Sequence, residues 1–238
     1  MRLAAPIAAL VLPLVLPLHA LASDLPPVHD SRTAIAERII DAAMESGEAM
    51  RKITYLSDRI GHRLSGSSQL ARAVDWAVEE MELDGLQNVR RQRVMVPRWI
   101  RGEERAEMVA PRRAELAMLG LGRSDGTPPG GLTAPIVVVE SFDAFEALPD
   151  AQVRGRIVLW DVPFTTYSET AKYRWEGANR AAAKGACASL LRSVGTGGLR
   201  TPHTGSMRYD EKQPKIPAAA LTTEDADLIH RLLAKGER

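Results

Sequence analysis

Gly155-Arg156-Ile157-Val158-Leu159-Trp160-Asp161-Val162, then Glu169 to Lys184, then Ala188-Ser189-Leu190-Leu191 is the stretch that decides the fold class. The first piece is a short apolar run of strand length, opened by glycine, and reads as a buried strand. The second is long enough for a helix and stops at Gly185, where a residue free to adopt positive φ ends helices. The third is again apolar and short. Strand, helix and strand in succession place this part of the chain in the α/β class.

Working outward toward the C-terminus, Ser193 to Lys215 is a long polar loop, and Ile216 to Leu221 is a last short strand. Thr222-x-x-Asp225 has the spacing of a capping box and opens a final helix, with Leu228, Ile229, Leu232 and Leu233 as its apolar face and Gly236 as its end. Toward the N-terminus, Ile136 to Glu140 reads as a strand and Phe142 to Ala147 as a short helix. Ser124 to Gly131 is a turn cluster. Gln92, Val94 and Val96 alternate as in a strand, and Glu107 to Ala110 and Glu115 to Leu121 continue a β-rich start.

Before about Val96 the periodicity is helical. One helix runs from Thr33 to Glu45, with Ser31 as N-cap. A second runs from Glu48 to Ile60 and ends at Gly61. A third follows Ser67-Ser68, carries the stripe Leu70, Val74, Ala77 and Met81, and ends at Gly85. The very N-terminus differs again. Arg2, the apolar run Leu3 to Leu18 and the small residues Ala20 and Ala22 have the layout of a cleavable secretory signal, with the cut before Ser23. Pro6, Pro13 and Pro17 speak against a spanning helix, and the run is short of the roughly 20 residues a bilayer needs. The expected organisation is a signal peptide over 1–22, a helical segment over 23–96 and a mixed α/β module over 97–238. The expected location is extracytoplasmic, periplasmic or secreted.

A formal charge of +1 removes the electrostatic case for a nucleic-acid partner. The single cysteine, Cys187, lies between two alanines and reads as a buried structural thiol. His29 falls in the Pro-rich lead-in. Asp58 and His62 have helical ligand spacing, but Gly61 interrupts them, so a helix-ending charge cluster stands beside a metal pair. Ser65-Gly66-Ser67-Ser68 contains no nucleophile elbow, and helix N-capping by Ser67 or Ser68 explains it. Gly195-Thr196-Gly197-Gly198 lacks the ending of a phosphate loop. Glu103-Glu104 reads as solvated charge. His230 reads as a half-buried surface histidine. His203, in Thr201-Pro202-His203-Thr204-Gly205, is the candidate substrate contact, with loop anchoring as the alternative. No catalytic or metal-binding constellation is legible from residue types alone.

Phrases of a known module are legible. Gly155 to Trp160, Ala181-Ala182-Ala183-Lys184-Gly185-Ala186, and Ile216-Pro217-Ala218-Ala219-Ala220-Leu221-Thr222-Thr223-Glu224-Asp225-Ala226 resemble, in that order, a protease-associated domain. Tyr55 to Ser67, Ala188 to Ser193, Thr201 to Gly205 and Pro214 to Pro217 resemble the carboxypeptidase Q family, over about Ile35 to Lys235. That resemblance implies the helical N-terminal segment of an aminopeptidase-type domain followed by the protease-associated module. It also implies an exported exopeptidase with two zinc ions, small peptides as substrates and a homodimeric complete enzyme. The family's zinc ligands follow this module, beginning with a His-x-Asp phrase, and no position here matches them. The expectation is therefore an inactive portion of such an enzyme. A non-catalytic protease-associated binding module is the alternative.

Overall fold

A computed structural model describes residues 31–236; His29 and the expected signal peptide lie outside the described residues. The chain divides into two compact units, one ending at Gly61 and one beginning at His62.

The first unit contains α1 (Ser31–Glu45) and α2 (Glu48–Tyr55). The helix expected through Ile60 changes character at Leu56, where Leu56–Ile60 forms a π turn closed by Gly61 N–H donating to Leu56 O. Gly61 then leaves the helix at φ +78°, a conformation that costs glycine little. Ile35, Ile39, Met50 and Ile53 are exposed, so the apolar faces legible in the sequence are not covered by the described residues.

The second unit opens with α3 (Ser68–Leu83), capped by Ser67 Oγ accepting from Leu70 N–H. Its expected stripe is only partly right. Ala73 is the buried position, whereas Val74 and Met81 are exposed. No strand forms over Gln92 to Val96, and Val94 is 69% exposed. Alternation alone does not make a strand where no neighbour takes up the backbone hydrogen bonds. β1 (Ala106–Met108) and β2 (Ala114–Leu116) instead make a small antiparallel ribbon.

The strand expected from Glu115 to Leu121 breaks at Ala117. β2 ends before it, and β3 (Met118–Gly120) joins a different sheet. Ala117 uses both backbone groups outside either ladder: its N–H donates to Asp225 Oδ2 at 2.7 Å, and its carbonyl accepts from Thr222 N–H. The second sheet adds β4 (Ile136–Val139), β5 (Ile157–Trp160), β6 (Ala188–Arg192) and β7 (Ala218–Leu221), in the order β3-β7-β6-β5-β4. β4 to β7 run parallel, and β3 is antiparallel to β7.

The connections are α4 (Phe142–Glu146) between β4 and β5, and α5 (Tyr167–Ala183) between β5 and β6; α6 (Thr223–Ala234) follows β7. α5 starts two residues earlier than expected because Thr166 Oγ1 caps it by accepting from Glu169 N–H. Because strand side chains alternate, the sheet buries both faces. Val158, Trp160, Leu191 and Ala220 face a core with Phe145, Ala171, Tyr173 and Ala181. Leu159 and Leu221 face a second core with Leu116, Ala226 and Ile229. Each fully buried large side chain contributes about 2 kcal/mol.

Trp160 fixes the distance between α5 and the sheet. Its ring packs edge-on to Phe142, and its Nε1–H donates to Ser189 Oγ at 3.1 Å. A Cβ on Gly177 would stand 2.6 Å from that Nε1, so only glycine lets α5 approach this closely.

Candidate functional site

In open α/β sheets the chemistry gathers outside the carboxyl ends of parallel strands, where loops diverge. Two polar clusters lie there. The first is centred on Asp161, the residue after β5. Its side chain is 6% exposed, and both oxygens are used: Oδ1 accepts from Arg192 Nη1 at 2.9 Å, and Oδ2 lies 2.7 Å from His230 Nδ1. Arg192 ends β6 and also binds Asp227 of α6. Burial works against the Arg192 charge, but the bonds to Asp227 and Asp161 outweigh it and hold the guanidinium above its ordinary value. Glu140, Asp161, Pro163, Arg192, Asp227, His230 and Arg231 line a shallow cleft of about 280 Å³. The half-exposed His230 is thus a positioned side chain, with Nδ1–H donating to a carboxylate and the lone pair left on Nε2 in the neutral ring.

The second cluster belongs to the loop after β6, which holds His203. The ring Nδ1 meets the Val194 carbonyl, and the His203 backbone N–H donates to Ser193 Oγ at 2.7 Å. A carbonyl partner fixes Nδ1 as the donor, so Nε2 again carries the lone pair. Of the two alternatives set from sequence, these bonds are those of loop anchoring. The ring of Tyr167, at the start of α5, lies 6.1 Å from His203, and Arg174 Nη2 donates to Tyr167 Oη at 2.9 Å.

The remaining sequence candidates resolve structurally. Gly198 N–H and Arg200 N–H both donate to Glu224 Oε1, so the glycine-rich segment is occupied by a carboxylate of its own chain. Thr222 Oγ1 caps α6 by accepting from Asp225 N–H, but the Asp225 carboxylate does not return the bond. It takes Ala117 N–H and Arg200 Nε instead. Glu104 is not simply solvated: it pairs with Arg101 and accepts from Gly120 N–H at 3.1 Å. Cys187 is half-buried rather than buried. Asp58 lies in the π turn, and His62 is exposed beyond it. The Asp161 cluster is the feature that residue types did not reveal. Its only signal was the placement of Asp161 and Arg192 at the ends of two expected strands.

Zinc is the ion the resemblance implies. Among the described residues no three His, Cys, Asp or Glu side chains converge as a metal site. His230 and Asp161 come closest, but Arg192 fills the other oxygen of Asp161. These residues do not fit a zinc centre. Among the described residues no helix is long and apolar enough to cross a membrane.

No protein-family model matches the chain. Carboxypeptidase Q of Bos taurus is 43% identical over 208 residues, covering 86% of this chain and 44% of that protein. The crystal structure of a peptidase M28 precursor from Shewanella amazonensis superposes with a TM-score of 0.82 at 35% identity, over 87% of this chain and 48% of that one. A zinc aminopeptidase from Bacillus subtilis, at 23% identity and a TM-score of 0.54 over 76% of this chain and 40% of that one, shares the fold. The chain thus spans less than half the length of the relatives it matches. Sequence and fold agree: this chain is a homologue of carboxypeptidase Q with the mixed α/β architecture of an M28 peptidase neighbour.

Proposed function

We propose that this chain is the N-terminal portion of an exported, zinc-dependent exopeptidase of the carboxypeptidase Q type, which hydrolyses dipeptides or other small peptides. The observation that carries the reading is the relation to carboxypeptidase Q across most of the chain. The strand-and-helix module is then a protease-associated domain that helps cover the substrate, with His203 as a contact residue. Two zinc ions and a homodimer belong to the complete enzyme. Part of the same proposal is that these 238 residues alone do not hydrolyse peptides. The alternative, a free-standing binding module, is disfavoured by the exposed Ile35, Ile39, Met50 and Ile53, which would be left facing water.

Two measurements test this. The purified chain, incubated with zinc and a panel of dipeptides, is expected to release no amino acids. Zinc-dependent release would overturn the inactivity. A protein of the relatives' full length that carries these residues is expected to hydrolyse dipeptides with zinc bound; an inert, zinc-loaded protein would overturn the peptidase reading.

A further inference from the structure

Arg174 is the unusual cation of the second unit. It sits on α5 and is 5% exposed, yet no described carboxylate forms an ion pair with it. Nη2 donates to Tyr167 Oη, but Nε and Nη1 are buried without an acceptor. Among the described residues, the ring faces of Tyr167 and Trp175, 5.4 Å and 5.7 Å from Cζ, are what offsets its charge. Arg192, also largely buried, shows the contrast: it has two aspartates. A buried guanidinium without a counter-charge is strongly unfavourable, so this arrangement favours completion by an anion.

Gly205 covers the guanidinium, and its carbonyl accepts from Gly122 N–H at 2.7 Å. A Cβ there would lie 2.6 Å from Arg174 Cζ and 2.7 Å from Nη1, so the loop backbone rests directly on the guanidinium. Tyr167 and Trp175 are each about half exposed, which brings this group close to the surface. One guanidinium carries one positive charge, which a monoanion such as a carboxylate balances and a dianion exceeds.

We propose that Arg174 is a carboxylate-binding residue. The loop lifts at Gly205, giving up the Gly122 N–H bond to the Gly205 carbonyl, and Nη1 donates to an oxygen of a carboxylate, supplied either by a peptide's free C-terminus or by an acidic side chain. The site does not depend on the peptidase reading: carboxylate binding without hydrolysis supports it, and a lack of hydrolysis does not count against it.

The test follows the Arg174 Nε–H resonance in the full chain during titration with four probes: Ala-Ala, Ala-Ala amide, N-acetylglutamate diamide lacking a free carboxylate, and N-acetylglutamate α-amide. Saturable shifts with Ala-Ala but not its amide assign the C-terminal carboxylate. Shifts with N-acetylglutamate α-amide but not the diamide assign the acidic side chain. Arg174→Met is expected to abolish binding and Arg174→Lys to weaken it at least about tenfold. No shift with either carboxylate, tighter binding of inorganic phosphate, or unchanged affinity in Arg174→Lys would each overturn the proposal. If Arg174→Met fails to fold, the wild-type Nε–H shift and the lysine variant still decide.

Discussion

Asp161 Oδ2 and His230 Nδ1 lie 2.7 Å apart although 69 residues separate them in the chain. The contact joins the end of β5 to the middle of α6, and the same carboxylate also holds Arg192 at the end of β6. One buried side chain thereby ties two parallel strands to the final helix.

Removing that carboxylate is expected to be costly. Asp161→Ala leaves Arg192 with Asp227 alone and His230 without its acceptor, and should lower stability by about 3 kcal/mol. Asp161→Asn, which keeps one acceptor oxygen, should cost less. Urea denaturation followed by circular dichroism ranks the two; equal stability with wild type would show that the cluster contributes nothing.

Glu224 gives a pH-dependent anchor. Its own backbone N–H, the Thr223 hydroxyl and the N–H groups of Arg200 and Gly198 hold its carboxylate below the usual range. A depressed folded value means that the anchoring is present above the ordinary carboxylate range and is lost as pH falls through the folded value. The Gly198 and Arg200 amide resonances should shift together on acidification, and Glu224→Gln should remove that titration.

Cys187 should be a slow nucleophile. Burial pushes its thiol up, and the N–H groups of Cys187 and Ala188 only partly offset this. Iodoacetamide should modify the folded protein more slowly than the urea-unfolded chain at pH 8. Equal rates would contradict the half-buried placement.

The Trp160 contact sets the tolerance of α5. Gly177→Ala introduces a methyl group against a buried ring and should cost about 2 kcal/mol. Ser189→Ala removes the acceptor of Trp160 Nε1–H and should cost about 1 kcal/mol. Thermal melts of both variants check the order; a neutral Gly177→Ala would mean that the helix can shift away from the sheet.

The proposed export makes a covalent prediction. N-terminal sequencing of the protein recovered outside the cytoplasm should begin at Ser23.

By itself the sequence determined the local architecture of the second unit. The apolar runs at Ile157 to Trp160 and Ala188 to Leu191, the helix stop at Gly185 and the caps at Ser67 and Thr222 are written in neighbouring residues, because each depends on backbone groups a few positions away. Tertiary structure decided the rest. It bent the chain at Ala117, where Asp225 takes a backbone N–H from 108 residues away, and it left Val94 and Val96 without a strand. It also gathered Asp161, Arg192, Asp227 and His230, and it buried Arg174 beneath Gly205. Periodicity fixes which face of an element is apolar. It does not encode the order β3-β7-β6-β5-β4 or the parallel register of β4 to β7, and these bring the distant polar side chains together at the carboxyl ends of the strands.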